Sequence, residues 1–184
     1  YNDTDDVDAL ADALADAHTL HIVSDDNYPP YLFRDADGQV QGYLVDYWQL
    51  WQQKTGVPVQ LSATQWAEAQ RQLQQGEADV IDMIYRTPPR ERLPVNIYSH
   101  ASIGGISNVQ TLKGFQVGVQ KGDACIDQLA ERGITSLLQY NNYEALLGAA
   151  SRAEVKIFCL DEAPANFYLY QLGIGNDFRK AFEL

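Results

Sequence analysis

Residues 115–160 carry the clearest indication of the fold, with the sequence FQVGVQKGDACIDQLAERGITSLLQYNNYEALLGAASRAEVKIFCL. Short apolar runs alternate in it with segments of helical periodicity. They predict strands at 115–120, 135–140 and 154–160, separated by helices at 124–132 and 143–150. Strands that alternate with helices favour a parallel sheet with helices on both faces. We therefore expect an α/β unit here, followed by a last helix at 164–172.

The first half of the chain has the same order of elements. The pattern predicts strands at 20–23, 57–61 and 79–85, with helices at 44–54 and 66–75, and residues 39–43 follow a turn signal, DADG. The prolines of NYPPY, residues 27–31, end the first strand, because two prolines can neither continue a strand ladder nor start a regular helix there. The predicted class is therefore α/β, with two lobes that each hold a mainly parallel sheet flanked by helices.

The predicted organisation has four parts. An Asp- and Ala-rich lead-in helix occupies residues 1–18, the first lobe 19–99, a crossover or hinge 100–114, and the second lobe 115–184. The segment NIYSHASIGGISNVQTLKG, which ends at residue 114, has little periodicity and two adjacent glycines. We interpret it as the connection between the lobes.

Composition excludes one class of partner. The chain has 184 residues, of which 46% are hydrophobic and 21% charged, as in ordinary soluble proteins. Its formal net charge is −12, and the 13 basic residues are scattered among 25 acidic ones, so we expect no nucleic-acid partner. No apolar run is long enough to span a bilayer, and residues 1–8 do not form a signal peptide. We expect membrane contact only through flanking segments outside this sequence.

Cysteine and histidine spacing predicts no metal and no cofactor. Cys125 and Cys159 match no zinc motif, and we favour two separate, partly buried thiols over a pairing of the two. His18, His21 and His100 share no metal-like spacing with each other or with the cysteines, and we expect them to be structural or exposed.

Five motifs together resemble a known family. They are, in order, PPY (29–31), GYLVDYW (42–48), GEADVIDMIYRTPPR (76–90), LKGFQVGVQKGD (112–123) and FCLDEAPANFYLYQLG (158–173). Their order and their positions at strand ends resemble the bacterial extracellular solute-binding proteins of family 3, over residues 20–182. The resemblance implies the type II periplasmic-binding-protein fold, a two-lobed clamp that closes on a ligand. Within the family, the sequence is most similar to periplasmic sensor domains of diguanylate cyclases and phosphodiesterases (GGDEF/EAL proteins) and of histidine kinases.

The resemblance implies a carboxylate-binding residue in the first lobe. Amino-acid-binding members hold the ligand carboxylate with the Arg of a T-x-x-R turn, which here is Thr87 to Arg90. A guanidinium group matches a carboxylate with a planar fork of donors, and such a pair contributes roughly 1.5–3 kcal/mol. The alternative is a surface arginine that pairs with Glu91.

An acid after the last strand of the second lobe holds the ligand amine in the family, and Asp161 matches that position. The alternative role for Asp161 is to cap the helix that we expect to begin near Pro164. Glu162 is the neighbouring candidate.

Aromatic residues match the positions that enclose the ligand's carbon chain. These are Tyr31 and Tyr43, for which the alternative is a place in the core. The same resemblance places Asp26 and Tyr85 at the cleft. Tyr28 and Trp66 are weaker candidates.

Two departures from the family pattern bear on the ligand. In the turn that Lys121 opens, the family often has Ser or Thr after the Gly, and the helix N-terminus helps to hold an anion. Here Asp123 follows, which satisfies those N–H groups itself and repels a carboxylate. Met83 stands where relatives tend to have Gly. A modified, larger or more cationic ligand is therefore plausible.

The connector at 98–114 is shorter than in the family, and the chain stops at Leu184, where relatives return to the first lobe. Two alternatives follow: either this clamp is trimmed, or residues are missing from the sequence. The expected function is an extracytoplasmic, periplasmic sensor domain that binds an amino-acid-like solute between its lobes and signals by closure, with a possible dimer in the full receptor. The alternative is a free binding protein of an ABC transporter. A third, weaker hypothesis is a cyclohexadienyl-type dehydratase. We expect no enzyme, because no second group partners a cleft acid such as Asp161 or Glu162.

Overall fold

The computed structural model describes residues 19–83 and 95–184. The strands are β1 (Leu20–Asp25), β2 (Asn27–Tyr28), β3 (Leu32–Arg34), β4 (Val40–Gln41), β5 (Val59–Thr64), β6 (Val80–Ile81), β7 (Asn96–His100), β8 (Val117–Gln120), β9 (Leu137–Tyr140), β10 (Ile157–Leu160) and β11 (Phe178–Glu183). The helices are α1 (Tyr43–Thr55), α2 (Trp66–Gln74), α3 (Ala124–Glu131), α4 (Tyr143–Ser151) and α5 (Glu162–Gln171), with a 3₁₀ turn at Val109–Leu112. The predicted lead-in helix and the predicted site residues Tyr85, Thr87 and Arg90 lie outside the described residues.

The described chain divides into two compact units. One contains residues 19–26 and 31–83, and the other contains residues 27–30 and 95–184. The second unit therefore includes residues 95–99, which we had assigned to the first lobe. They belong there because β7 pairs in antiparallel fashion with β10 and with β11.

The first unit contains a parallel sheet in the order β5-β1-β6. Ile22 and Val23 in the central strand are completely buried, and they point to opposite faces. Ile22 packs with Trp51 of α1, while Val23 packs with Ala69 of α2. The two helices thus cover both faces of the sheet, as a β-α-β order requires. A short antiparallel pair, β3 with β4, accompanies this layer.

The second unit contains a five-stranded sheet in the order β11-β7-β10-β8-β9. The strands β8, β9 and β10 are parallel to their neighbours in this set, as the sequence predicted. One face packs Phe158 against Leu146 and Leu147 of α4, and the other packs Ile157 against Leu129 of α3. Gly118 lets α4 approach β8, because a Cβ there would lie 2.5 Å from Leu146 Cδ1.

Two strands of this sheet were missing from the prediction. The strand β7 has the sequence NIYSH, in which two buried positions, Asn96 and Ser99, are polar, so its apolar pattern is too weak to predict a strand. The strand β11 alternates poorly, because its pairing with β7 shifts register between Lys180 and Phe182. A sequence pattern of period two cannot detect either case.

The expectation of two separate thiols was wrong. Cys125 in α3 and Cys159 in β10 form a disulfide, with their Cα atoms 6.5 Å apart, and both residues are completely buried. The bridge spans 34 residues of chain. In the chain-entropy view, closing a loop of that length stabilises the fold by about 4 kcal/mol.

Candidate functional site

The carboxyl ends of β8, β9 and β10 lie at one edge of the second sheet. Because these strands are parallel, the residues that follow them meet at this edge. Lys121 follows β8, Asn141 follows β9 and Asp161 follows β10. In open α/β sheets, ligands bind outside the carboxyl ends of the strands. This edge is therefore the first place to look for a site.

Asp161 sits at the N-cap position of α5, which begins at Glu162 rather than near Pro164. Its side chain makes no hydrogen bond to the described first turn of that helix, so the capping role that we weighed is not seen. Instead, the carboxylate accepts a hydrogen bond from the Tyr28 hydroxyl at 2.7 Å. Burial raises the pKa of Asp161, and the bond from Tyr28 opposes that rise.

Asp123 is held at the N-cap position of α3. Its Oδ1 accepts from the Cys125 N–H at 2.7 Å, and its Oδ2 accepts from the Tyr143 hydroxyl at 2.6 Å. The helix N-terminus is thus satisfied by a side chain of its own, as the sequence suggested. Burial raises the pKa of Asp123 to about 6 against both hydrogen bonds, and the charge of Asp161 adds to the rise.

Asp123, Asp161, Tyr28 and Tyr143 form what we call the acid–tyrosine cluster. The two tyrosine rings lie 6.0 Å apart, and each hydroxyl donates to one of the acids. Tyr143 is buried, and burial together with the two nearby carboxylates raises its pKa well above the ordinary value, so it remains a neutral donor. Within the described residues, neither acid forms a salt bridge with a lysine or an arginine.

The backbone around the cluster is fixed at two points. Cys125 follows Asp123 by two residues and Cys159 precedes Asp161 by two residues, so the disulfide joins the two segments that carry the acids. Asn27, beside Tyr28, accepts a hydrogen bond from the Glu144 N–H at 2.7 Å, in the first turn of α4. Both acids and the Tyr28 ring are therefore positioned by contacts outside the cluster itself.

Lys121 lies at the same edge and is exposed. Its Nζ donates to the Asn141 side-chain oxygen at 2.7 Å, so this amine is engaged by a neutral amide that follows the neighbouring strand. The structure places Lys121 and Asp161 at one edge of the sheet, while the ligand role that the resemblance implies for each stays a prediction.

In the first unit, Tyr31 and Tyr43 are in contact. Their ring centroids lie 6.3 Å apart at an interplanar angle of 66°. Tyr43 is 66% exposed and Tyr31 is only partly buried, so the core role that we weighed against a ligand role is not seen for Tyr43. The pair presents aromatic surface next to the first turn of α1.

Asp26 pairs with Arg34 in the first unit. The Arg34 Nε lies 3.1 Å from the Asp26 carboxylate, and the same guanidinium donates to the Ala63 carbonyl at 2.8 Å. Both side chains are partly exposed. Asp26 therefore already has a cationic partner, which leaves less of its charge for a ligand.

The sequence prediction missed Asp82. This acid follows β6 and accepts from the Trp48 indole N–H at 2.9 Å, while its Oδ1 is buried with no donor in residues 19–83 and 95–184. Burial raises its pKa against the bonds from Ser24 and Trp48. Next to it, Met83 has a φ of 54°, in the left-handed region that favours glycine. An acid inside the apolar run DVIDMIY was the available signal.

Neither metal nor membrane features occur in the part of the chain that the structure describes. No group of three His, Cys, Asp or Glu side chains among these residues could hold a metal ion. His100 bonds to Ser102 through its Nδ1, with 2.7 Å to the hydroxyl. Across the same residues, every helix is too short or too polar to cross a bilayer.

One α/β unit with a parallel sheet and a second with a mixed sheet place the chain in the class of proteins with the periplasmic-binding-protein fold. The model of the family "Bacterial extracellular solute-binding proteins, family 3" matches residues 20–146. The chain belongs to this family, which confirms the resemblance read from the motifs. Among curated protein sequences, none matches the chain.

Solved structures with the same fold include both sensors and binding proteins. A histidine kinase sensor domain with similarity to periplasmic binding proteins has a TM-score of 0.78 and 20% identity, over 90% of this chain and 77% of that one. An ancestral arginine-binding protein bound to arginine has a TM-score of 0.74 and 22% identity, over 91% and 80%. An arginine-specific periplasmic binding protein from Salmonella typhimurium has a TM-score of 0.75 and 20% identity, over 91% and 79%.

Proposed function

We propose that this chain is the extracytoplasmic ligand-binding sensor domain of a bacterial membrane signalling protein. It binds a small, polar, amino-acid-like solute. Asp161 carries the proposal, because a partly buried carboxylate at a strand end, with one tyrosine hydroxyl as its donor in the described chain, suits a ligand amine. The arginine-binding proteins of similar fold support the amino-acid class of ligand.

The rest of the proposed site comes from the family motifs. Arg90 in the Thr87 turn holds the ligand carboxylate, and Tyr31 and Tyr43 contact its carbon chain, as the family pattern implies. Tyr85, Asp26 and Lys121 are secondary contacts. The observed edge contact of the Tyr31 and Tyr43 rings supports their shared role.

Signalling follows from closure of the two lobes on the ligand. A ligand shifts the closed population only by its differential affinity for that state, so both lobes must contribute contacts. In the full receptor, closure is transmitted through flanking membrane segments, and a receptor dimer provides the geometry for such a signal. The sensor domain of similar fold supports a sensing role.

The extracytoplasmic location has a chemical argument. The Cys125–Cys159 disulfide is a buried structural bridge, and such bridges form and persist in oxidising compartments such as the bacterial periplasm. Membership of an extracellular solute-binding family supports the same location.

A free binding protein of an ABC transporter is the second candidate, and the arginine-binding proteins of similar fold favour it. The reading frame of the gene distinguishes the two, because a sensor requires a flanking membrane helix and a transport protein a cleavable signal. Expression of the full reading frame followed by membrane fractionation tests this directly. A product found entirely in the soluble periplasmic fraction would contradict the sensor role.

Ligand binding is tested by thermal unfolding of the chain against amino acids, polyamines and small carboxylates. A ligand at about 100 times its Kd stabilises the protein by roughly 2.7 kcal/mol. We expect Asp161→Asn to remove that shift, because a neutral amide cannot balance the positive charge of a ligand ammonium group. We expect Glu162→Gln to keep the shift. If Glu162→Gln removes the shift while Asp161→Asn keeps it, the neighbouring acid holds the ligand instead.

Incubation of the chain with prephenate or arogenate tests the dehydratase hypothesis. Turnover of either compound would support an enzyme and contradict a purely ligand-binding role. We expect none, because the family and the structures of similar fold are binding and sensor domains.

A further inference from the structure

At the N-terminus of α3, the Asp123 carboxylate occupies a position where a bound anion would accept a backbone hydrogen bond. The Cys125 N–H is bonded to Asp123 Oδ1, so the amide that would face a ligand carboxylate already has an anionic partner. An added carboxylate would meet the charge of Asp123 at short range, and like charges at short range repel. This end of the second unit is therefore unsuited to the anionic part of a ligand.

The charge in the acid–tyrosine cluster is not balanced by the described chain. Both donors within it, Tyr28 and Tyr143, are neutral hydroxyls, which satisfy lone pairs without cancelling charge. The charge of Asp161 is also close enough to raise the pKa of Asp123. A cation near these two acids would stabilise both of them in the charged form.

A separate observation points to a donor-rich ligand. Asn96 in β7 pairs directly with Leu160, the residue before Asp161, so it lies at the same edge of the sheet. Asn96 is 3% exposed, and its Oδ1 has no hydrogen-bond donor within the described residues. A buried carbonyl oxygen without a donor costs roughly 1–3 kcal/mol, and a ligand N–H group would satisfy it.

We propose that the acid–tyrosine cluster, with Asn96 beside it, binds the cationic end of the ligand, and that this end is a guanidinium or primary ammonium group that carries no carboxylate. This deepens the proposed function, on which it rests, by naming the ligand class. A guanidinium fits best, because its five N–H donors in a planar fork can serve two carboxylates and an amide oxygen together.

The first experiment compares agmatine, putrescine and glutarate by isothermal titration calorimetry with the intact chain at pH 7. Agmatine carries a guanidinium and an ammonium group without a carboxylate, putrescine carries two ammonium groups, and glutarate is a dianion of similar length. We expect agmatine to bind more tightly than putrescine and glutarate not to bind. Tighter binding of glutarate than of agmatine overturns the proposal.

Two matched substitutions in α3 locate the binding. Asp123→Asn removes one charge from the cluster with little change in shape, while Asp127→Asn removes one charge from the exposed face of the same helix. We expect Asp123→Asn to weaken agmatine binding at least about tenfold, equivalent to about 1.4 kcal/mol, and Asp127→Asn to leave it within about twofold. If the two variants weaken agmatine binding equally, Asp123 acts only through the net charge of the protein, and the proposal is contradicted.

The unaltered chain provides a second test that needs no variant. The groups facing Asp123 are Asp161, Tyr143 and the bonded Cys125 amide, and agmatine keeps its charge between pH 5 and 7. Because Asp123 takes up a proton over this range, agmatine binding should be about tenfold weaker at pH 5 than at pH 7. Affinity that is unchanged or rises at pH 5 overturns the proposal.

The outcomes separate this inference from the proposed function. If a neutral amino acid such as glutamine binds and agmatine does not, the chain is a solute-binding domain and the cationic ligand class is wrong. If neither binds, nor any other amino acid, polyamine or carboxylate, the proposed function fails together with the inference.

Discussion

Asp26 at a strand end of the first unit and the two strand-end acids Asp123 and Asp161 of the second unit have different surroundings. In the first unit, Asp26 faces an arginine, with Arg34 Nε at 3.1 Å, and both side chains are partly exposed. In the second unit, Asp123 and Asp161 receive hydrogen bonds from tyrosine hydroxyls, and burial raises the pKa of each. An ion pair cancels charge locally, whereas a hydroxyl donor leaves the charge in place.

This difference indicates which acids can interact strongly with a charged ligand. A charged ligand gains little from an acid that is already paired and solvated, because it must replace an existing partner. It gains more from a desolvated acid with a neutral donor, where the interaction is screened less by water. Asp123 and Asp161 are therefore better placed than Asp26 to interact with a charged ligand. Asp82 of the first unit resembles them, because burial raises its pKa and the Trp48 indole that donates to it is neutral.

The disulfide provides the largest expected effect. Substituting both Cys125 and Cys159 by Ala should destabilise the second unit by about 4 kcal/mol, because it removes the cross-link that restricts the unfolded chain. The three tryptophans are Trp48, Trp51 and Trp66, so their fluorescence during urea unfolding reports on the first unit. Far-UV circular dichroism reports on both units.

We expect the circular dichroism transition to shift to lower urea and the tryptophan transition to shift less. Wild type unfolded in the presence of a reductant is the matched control, because it loses the bridge without a change of side chains. An unchanged circular dichroism midpoint in both samples would show that the bridge does not hold the second unit together.

A smaller effect is expected for the charge of Asp123. Its pKa rises from 3.8 to about 6 on folding, a difference worth about 3 kcal/mol. Stability from a raised pKa is complete below the unfolded value and is lost as the pH rises through the folded value. The wild type should therefore lose stability between about pH 4 and pH 7, and Asp123→Asn should not lose this part.

The net gain for Asp123→Asn at pH 8 should be about 1–2 kcal/mol, because the amide gives up roughly one hydrogen bond of about 1 kcal/mol. The difference between variant and wild type should disappear or reverse at pH 4. Urea unfolding at both pH values measures it, with Asp127→Asn as the control that shows no such pH dependence. A variant less stable than wild type at pH 8 would mean that the charged Asp123 carboxylate stabilises the fold, contrary to the expectation that its burial is destabilising.

The parallel layers could be predicted from sequence because their signals are local. The helices α1 to α5 and the buried strands each carry their own period of apolar residues, and the observed bounds fall within a few residues of those predicted. The strands β7 and β11 could not be predicted in this way. They form because they pair with neighbouring strands that are distant in sequence. The polar residues Asn96 and Ser99 in β7, and the register shift near Lys180 in β11, interrupt the alternation of apolar and polar residues.

The candidate site divides along the same line. Asp161 and Lys121 could be selected as candidates because they match family motifs that follow predicted strands, and the topology brings such residues to one edge. The partnership of Tyr28 with Asp161 joins residues 133 positions apart, and that of Cys125 with Cys159 joins residues 34 apart. No local pattern encodes either contact. The role of Asp123 was half visible, since the sequence showed an acid at a helix start but not the tyrosine beside it.

The smallest effect is expected at the ion pair of the first unit. Arg34→Ala should change the free energy of unfolding by less than about 1 kcal/mol, because exposed ion pairs contribute little and salt screens them. Tryptophan-detected urea unfolding at low and at high salt measures the change, and Arg34→Lys separates the charge from the contact with the Ala63 carbonyl. A loss of several kcal/mol that persists at high salt would place Arg34 among buried, structural charges. Asp26 would then resemble Asp123, and the contrast between these two acids would be lost.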